Sequence, residues 1–424
     1  MRNKLFFFTL LTVCVFATGC DDEDPRDRFT GNSDGGSSDS DADGDSDGDA
    51  DYDGETGSIQ GKVLSPSQNL PISGALVFLT KGEPKEIPDH VYRYECDEMG
   101  GLYTLSGADG TWRIDNAPTG TWNIITRKGN FRRVREIVVD GTEDQQIPQD
   151  ITTLPGSEDA EGDTIPNFAV MHTTPDLIYN LLAKFGMGNV NNGALQYGTE
   201  TFDIYLDGAA HAGYPTSDKL FETPEKIDEY HMIFFPCAAD TRSVAFVKSH
   251  ADAIRNYVSK GGKLYNSCCV ALWTEAPFPD YIDFSGGNPD GVNKWDIGRI
   301  SPTPYTTNGE VLDNQLSAWV SANSNNDPAN IPFTMGYVKI DGVTEVDDGH
   351  GLSDDNGVVK PYVWVRDIQK YPGSPLMVTY NYDGGKVFYT VYETSKAGAG
   401  FTPQEAVLLY VILEVGVCEN PPPI

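Results

Sequence analysis

The sequence predicts a multidomain protein of the α+β class, with an N-terminal antiparallel β sandwich and a C-terminal α/β domain built on a parallel sheet. Two observations lead to this prediction. Between residues 58 and 150, short runs of alternating apolar and polar residues are separated by Gly and Pro, as in antiparallel strands. Between residues 167 and 418, apolar strands alternate with amphipathic helices, as in parallel sheets with helical crossovers. A chain of 424 residues has room for both domains.

Residues 1–19 have the layout of a bacterial signal peptide. Positive charge precedes an apolar run from Leu5 to Ala17 that is too short to span a bilayer. Residues 17–20 resemble a lipobox, so we expect cleavage before Cys20 and acylation of that cysteine, including palmitate; the alternative is an ordinary secretory signal. The sequence therefore predicts a lipid-anchored protein of the cell envelope. We favour location at the outer membrane or cell surface. Asp21, directly after the acylated cysteine, keeps the inner membrane as the alternative location.

Residues 20–57 form an acidic linker that lacks the apolar residues needed for a core. Fifteen Asp or Glu and two Arg occupy positions 21–57, so this segment carries −13 of the formal net charge of −33. Such a composition predicts a disordered, self-repelling tether. The charge disfavours nucleic acid as a partner and favours weak association with divalent cations. Residues 49–54 match the beginning of a calcium-binding loop. The twelfth position of such a loop needs a bidentate Glu, and this sequence has Gln60 there, so we expect a linker without a specific calcium site.

Residues 58–150 carry five predicted strands, at 59–63, 75–79, 111–114, 122–125 and 134–139. Four short sequence motifs in this segment resemble those of a carboxypeptidase regulatory-like domain. They lie at residues 61–63, 71–77, 108–114 and 117–122. This resemblance covers nearly all of the segment. It implies a prealbumin-like sandwich that serves as a spacer, an adhesive or a folding module and has no catalytic role.

The C-terminal domain is predicted from strands at 168–172, 202–206, 232–235 and 263–267 that alternate with helices. Asp176 is expected to cap one helix, and a second helix should extend from Ser243 to Ser259. A strand from Pro375, a turn at 383–385 and a strand at 386–391 predict a closing hairpin. The final helix should begin at Thr402 in a capping box.

Residues 230–237, 254–265 and 384–389 together resemble the class I glutamine amidotransferase-like superfold. The resemblance extends from about Asn167 to Val417. In active members a cysteine on a strained turn after a strand is activated by a His-x-Glu pair. Cys268 and Cys269 lie near that position without flanking glycines, and the only downstream histidine is His350, which is not followed by x-Glu. These three are the candidate catalytic residues, but a thiol without a base is a poor nucleophile.

Cysteine counting favours a structural explanation for the same thiols. Once the signal peptide is removed and Cys20 is acylated, five cysteines remain, and an envelope location permits disulfides. Cys237 and Cys268 each follow a predicted strand, so neighbouring strands would bring them within bridging distance. We therefore expect a disulfide from Cys237 to Cys268 or Cys269.

Two further groups of residues are candidate ligand sites. The histidines lack the spacing of a metal site, so no metal or other cofactor is predicted, although His172, His211 and Asp207 could converge in the fold. Aromatic and acidic loop residues suit either a glycan or peptide ligand or simple packing. The binding-loop candidates are Trp273, Glu275, Asp280 and Trp295, together with Trp319 and residues 323–327.

The sequence thus predicts a membrane-anchored lipoprotein whose folded part binds or scaffolds without catalysis. A glycan or protein ligand is expected. The alternative is a cysteine- or acid-dependent hydrolase or amidotransferase-like enzyme that acts on carbohydrate or peptidoglycan-derived material.

Overall fold

The computed structural model describes residues 54–418, except for 95, 97–100, 208–210, 238–243, 287–296, 299, 301, 395–397 and 399. The predicted signal peptide, Cys20, most of the acidic linker and Trp295 therefore lie outside the described residues. The described chain is a mixture of helices and strands arranged in several sheets, as a mixed α and β class requires.

The N-terminal part is built mostly of strands. In chain order these are β1 (Thr56–Lys62), β2 (Leu76–Thr80), β3 (Tyr103–Leu105), β4 (Thr111–Pro118), β5 (Gly120–Lys128), β6 (Phe131–Val139), β7 (Gln145–Gln146), helix α1 (Gln149–Thr152) and β8 (Asp163–Thr164). One sheet has the order β4-β1-β7 and the other the order β3-β2-β5-β6-β8. Strand β4 alternates as predicted, because Trp112 and Ile114 are buried while Arg113 between them is exposed.

The C-terminal part continues with β9 (Phe168–His172), α2 (Ile178–Leu182), β10 (Val190–Asn191), β11 (Ala194–Leu195), β12 (Asp203–Leu206), β13 (Met232–Phe235), α3 (Val244–Ser259), β14 (Lys263–Ser267), α4 (Leu272–Glu275), β15 (Ile282–Phe284), β16 (Tyr305–Val311), α5 (Asn314–Asn323), β17 (Ile331–Gly336), β18 (Ile340–Val343), β19 (Val346–Asp347), β20 (Val358–Val359), β21 (Tyr362–Asp367), β22 (Pro375–Tyr382), β23 (Gly385–Thr390) and α6 (Pro403–Val415). Short helical turns lie at Ala183–Met187, Ser217–Lys219, Lys226–Glu229, Cys268–Val270 and Ser353–Asp355.

A nine-stranded mixed sheet organises this part, with the order β12-β9-β13-β14-β23-β22-β21-β16-β17. The five strands from β12 to β23 are parallel to their neighbours. The four strands from β22 to β17 are added in antiparallel fashion. The parallel half carries the strands predicted from apolar runs, and β9, β13 and β14 have the predicted bounds.

Helix α3 connects β13 to β14 and covers the sheet with one apolar side. Val247, Ala251, Ile254 and Val258 are buried, as their helical spacing predicts. The chain then turns at Gly261, whose φ of +113° favours glycine and whose added Cβ would lie 2.0 Å from the carbonyl oxygen of Tyr92. The turn therefore also allows the N-terminal part to approach the sheet.

Helix α6 begins with the predicted capping box. The backbone N–H of Glu405 donates to Thr402 Oγ1 at 3.3 Å, and the backbone N–H of Thr402 donates to Glu405 Oε2 at 2.8 Å. Lys184 forms a buried ion pair with the other carboxylate oxygen of Glu405 at 2.7 Å. The capping box that the sequence predicts at Thr402 is therefore confirmed.

The two parts contact each other closely, and all described residues belong to one compact unit. A disulfide joins Cys96 to Cys418, 322 residues apart. The indole N–H of Trp319, on α5, donates to the carbonyl of Pro71 at 2.9 Å. The prediction that Trp319 and Asn323 lie in loops is wrong, because both belong to helix α5. Among the described residues, no helix combines the length and apolar character that crossing a bilayer requires.

Candidate functional site

The carboxyl ends of the parallel strands bring several polar and sulfur-bearing residues to one edge of the sheet. Strand β9 ends at His172, β13 is followed by Cys237, β14 by Cys268 and β23 by Glu393. Parallel strands that share a direction present these ends at the same edge, which is where open α/β sheets place ligands. This edge is the candidate site.

Cys268 occupies a strained backbone position directly after β14. Its φ is +50°, in the left-handed region that side chains other than Gly, Asn and Asp rarely adopt, whereas Ser267 before it is extended. The hydroxyl of Tyr389 donates to the carbonyl of Cys268 and holds this turn. The chain then continues as a short helical turn into α4. This is the backbone form expected of a cysteine on an elbow.

Three thiols meet at this edge. The Sγ atoms of Cys237, Cys268 and Cys269 all lie within 4.8 Å of one another, and those of Cys268 and Cys269 are 3.6 Å apart. Interaction with the other two thiols and burial raise the pKa of Cys237. Burial is the main cause that raises the pKa of Cys268, which has no exposed surface. These two groups are therefore protonated thiols near neutral pH.

The predicted bridge from Cys237 to Cys268 or Cys269 is wrong. The prediction that neighbouring strands bring these residues together is correct, since β13 pairs with β14, but none of the three takes part in a disulfide. The disulfide instead joins Cys96 and Cys418, which lie in chain segments that sequence order alone does not bring together. The side chains of all three cysteines at this edge therefore remain thiols.

His350 lies at the opposite end of the sheet from the thiols. Its Nδ1 is 3.1 Å from Asp383, which precedes β23, and its ring stacks on Tyr382. The six residues of β23 separate the two ends by roughly 20 Å. His350 therefore cannot act as a base for Cys268.

Asp176 connects the strand ends beside the thiols. One carboxylate oxygen accepts from Ser267 Oγ at 2.6 Å and from the backbone N–H of Cys237 at 3.0 Å. The other accepts from the N–H and the hydroxyl of Thr394, at 3.1 and 2.7 Å. Burial raises the pKa of Asp176, and these hydrogen bonds oppose the shift. The predicted capping role is wrong, because α2 begins at Ile178 and shows no side-chain cap.

Glu393 is the second acid at this edge. Its side chain is buried, and neither carboxylate oxygen has a hydrogen-bond partner among the described residues. Burial and then the charge of Asp176 raise the pKa of Glu393 to about 8, while the thiol of Cys237 opposes the shift. Glu393 is therefore mostly protonated at neutral pH. Sequence reasoning missed it, although an acid three residues after a buried strand is a usable signal.

His172 and His211 converge as the sequence allowed, with ring centroids 6.2 Å apart. His172 stacks on Tyr179, and its Nε2 is 2.6 Å from the hydroxyl of Tyr197. Burial and then the charge of His211 lower the pKa of His172. Asp207 is buried nearby and its backbone N–H donates to the carbonyl of His172. The described residues place these rings in an aromatic cluster.

The predicted binding-loop residues are placed differently from one another. Trp273 is buried and stacks on Phe235 with centroids 4.3 Å apart, so it packs in the core. Glu275 is also buried, and burial followed by the charge of Asp280 raises its pKa to about 7. Asp280 is exposed. Trp295 lies outside the described residues.

A cavity of about 390 Å³ lies between the N-terminal part and helices α5 and α6. Its volume is within the range of small-molecule sites. Trp319 and Asn323, which the sequence proposed as ligand residues, line it together with Leu70, Lys184, Phe401 and Ala406. The cavity therefore combines aromatic and amide groups.

No family model matches the chain, and no curated protein matches it. Solved structures that resemble it include the cytoplasmic protein STM3548 from Salmonella typhimurium, with 14% identity over 59% of this chain and 98% of that chain and a TM-score of 0.34. The cytoplasmic protein STM1381 from Salmonella typhimurium LT2 has 12% identity over 58% of this chain and 98% of that chain, with a TM-score of 0.33. PurLQS from Thermotoga maritima has 11% identity over 58% of this chain and 98% of that chain, with a TM-score of 0.30. Likenesses at this level carry no argument about function.

Proposed function

We propose that this chain is a lipid-anchored protein of the cell envelope whose folded part binds or scaffolds without catalysis. The observation that carries the proposal is the state of Cys268. Cys268 lies near the position that the sequence resemblance gives to the nucleophile of active amidotransferase-like proteins, yet it has no exposed surface and burial raises the pKa of its thiol. A protonated, buried thiol lacks both the nucleophilic form and access to a substrate.

The architecture that we propose for this role is a carboxypeptidase regulatory-like sandwich followed by a class I glutamine amidotransferase-like domain. Two observations support the first assignment. The N-terminal part consists of two mainly antiparallel sheets, and its sequence carries the motifs at 61–63, 71–77, 108–114 and 117–122. The parallel strands with the helical crossover α3 and the turn after β14 support the second.

Thiol labelling tests the non-catalytic role. Reduced, chelator-treated protein is exposed to iodoacetamide at neutral pH, and peptide mass spectrometry follows each cysteine. We expect slow labelling of Cys268 that does not change when His172 or His350 is replaced by Ala. Fast, selective labelling of Cys268 that is abolished by either replacement would contradict the proposal.

The runner-up is a hydrolase or amidotransferase-like enzyme that acts on carbohydrate or peptidoglycan-derived material. One observation favours it, namely the φ of +50° at Cys268, because strained backbone is concentrated at active sites. The labelling experiment separates the two proposals.

The membrane anchor has its own test. Replacement Cys20→Ser should shift the protein from the membrane fraction to the soluble fraction, whereas Cys14→Ser, within the apolar run, should leave it in the membrane fraction. Membrane association that survives Cys20→Ser would contradict lipid anchoring.

The ligand site that we propose is the cavity between the two parts, and the ligand class is a glycan or a peptide. Ala406→Phe would fill the cavity and should abolish binding to arrays of both ligand classes. Ala318→Phe, on an exposed face of α5, is the matched control and should leave binding intact. Equal binding by both variants would place the ligand elsewhere.

A further inference from the structure

The three thiols at the carboxyl edge have the spacing of a metal-binding group. In a tetrahedral zinc site with Zn–S bonds of about 2.3 Å, neighbouring sulfurs are about 3.8 Å apart. The Sγ atoms of Cys268 and Cys269 are 3.6 Å apart, and Cys237 completes a trio within 4.8 Å. Small side-chain movements would therefore bring all three sulfurs to one ion.

Glu393 supplies an independent observation. The Glu393 carboxyl is buried, and its two oxygens have no nitrogen or oxygen partner among the described residues, so a bound ion would satisfy them. Glu393 follows β23, the parallel neighbour of β14, so it lies at the same edge of the sheet as the trio. Structural zinc sites are four-coordinate, and Zn²⁺ accepts both thiolate sulfur and carboxylate oxygen as ligands.

The neighbouring strand ends hold these ligands in place. Asp176 accepts from the backbone N–H of Cys237 and from the hydroxyl of Ser267, which immediately precedes Cys268. The N–H of Thr394, directly after Glu393, donates to the same carboxylate. One buried acid thus fixes the backbone beside three of the four ligands, as outer groups do at metal sites.

We propose that Cys237, Cys268, Cys269 and Glu393 form a closed site for a thiophilic divalent cation of the Zn²⁺ type. This proposal goes beyond the proposed function and does not depend on it. With three thiolates, one carboxylate and one divalent ion, the site would have a net charge of −2, equal to that of a four-cysteine zinc site. Four protein ligands leave no open position, so the role is structural.

Binding requires proton release and no redox partner. Each thiol loses its proton as its Sγ–metal bond forms, and the Glu393 carboxyl does the same, so up to four protons enter solution for each ion bound. The metal keeps its oxidation state. Oxidation of Cys268 and Cys269 would remove the ligands, so the site requires the reduced protein.

Cobalt substitution tests the proposal on the full-length chain. Reduced, chelator-treated protein is titrated with Co²⁺, and the sulfur-to-cobalt charge-transfer band and the visible bands of tetrahedral Co²⁺ are recorded. We expect saturation at one ion per chain and displacement by Zn²⁺. Cys237→Ser, Cys268→Ser and Cys269→Ser should each weaken the charge-transfer band. Glu393→Gln should keep that band and lower the affinity by about tenfold or more.

The double replacement Cys96→Ser/Cys418→Ser is the matched control and should retain the band. A second readout guards against variants that fail to fold: in the unaltered chain, Zn²⁺ should protect Cys237, Cys268 and Cys269 from alkylation as a set. The proposal would be overturned if the protein shows no saturable Co²⁺ binding, or if the Cys268→Ser variant binds Co²⁺ as well as the unaltered chain does. Binding of Cu⁺ without binding of Co²⁺ or Zn²⁺ would also overturn it. Unchanged affinity in Glu393→Gln would also overturn the assigned ligand set.

Discussion

The hydroxyl of Ser267 donates a 2.6 Å hydrogen bond to Asp176, although the two residues are 91 positions apart in the sequence. Through this bond the loop after β9 is attached to the end of β14, and the same carboxylate also binds the ends of β13 and β23. The carboxyl edge of the sheet therefore depends on one buried acid.

Asp176→Asn should destabilise the protein by about 3 kcal/mol or more. The amide nitrogen of Asn would replace one acceptor oxygen, so that either Ser267 and Cys237 or both donors of Thr394 lose their acceptor. Urea unfolding measures the change. Asp150→Asn, at an exposed position, is the control and should change stability by less than about 0.5 kcal/mol. Equal stability of the two variants would contradict the role assigned to Asp176.

Loss of the Cys96–Cys418 disulfide should lower the free energy of unfolding by about 2–5 kcal/mol, because a cross-link over 322 residues removes much entropy from the unfolded chain. The double variant Cys96→Ser/Cys418→Ser should show a lower Tm than the unaltered chain. Reducing agent should lower the Tm of the unaltered chain and leave that of the double variant unchanged. Equal sensitivity of both proteins to reduction would contradict this bridge.

Lys184→Met should destabilise the protein by about 3–5 kcal/mol because it leaves the buried carboxylate of Glu405 without its counter-charge. The double variant Lys184→Met/Glu405→Gln should recover much of that loss, since it removes both charges. Lys219→Met, which breaks an exposed pair with Glu222, should cost about 1 kcal/mol or less. A double-mutant cycle with thermal unfolding measures these values, and additive losses at Lys184 and Glu405 would disagree with a coupled pair.

His231 should make the protein less stable as pH falls from 6.5 to 4. Burial is the main cause that lowers its pKa to about 4; the hydrogen bond to the carbonyl of Pro88 opposes this shift, and the charge of Lys263 adds to it. Between these pH values the unfolded chain binds a proton that the folded chain does not, so folding stability decreases by up to about 3 kcal/mol.

Urea unfolding at a series of pH values measures the effect of His231. The variant His231→Gln should show a smaller loss of stability over this range than the unaltered chain. Identical slopes for the unaltered chain and His231→Gln would show that another group causes the acid sensitivity.

The parallel half of the large sheet was predictable largely because β9 and β13 are short apolar runs. All of their residues are buried, so burial on both faces leaves an apolar signal in the sequence, whereas β14 is equally buried but carries Lys263, Asn266 and Ser267. In the antiparallel half, the hairpin of β22 and β23 was predicted, whereas β21, β16 and β17 were missed. Strand β16 carries Thr, Asn, Gly and Glu between its ends, and its pairing with β17 and β21 depends on contacts that no local pattern reveals.

The candidate site was predictable only in part. Strand adjacency placed Cys237 beside Cys268, but geometry that the sequence does not show decides whether two nearby thiols bond to each other. Asp176 has the sequence context of a helix cap, and its true partners lie 61 to 218 positions away. The disulfide partners were likewise set by the packing of the C-terminal segment against the N-terminal part.

The central claim is that Cys268 is a buried, protonated thiol and not an activated nucleophile, and its alkylation as a function of pH tests this most directly. In chelator-treated native protein, we expect the rate at Cys268 to stay far below that of the unfolded chain and to rise only at a pH above the ordinary titration of cysteine, near 8.5. A rate at Cys268 that exceeds that of the unfolded chain and reaches a plateau below pH 7 would contradict the claim.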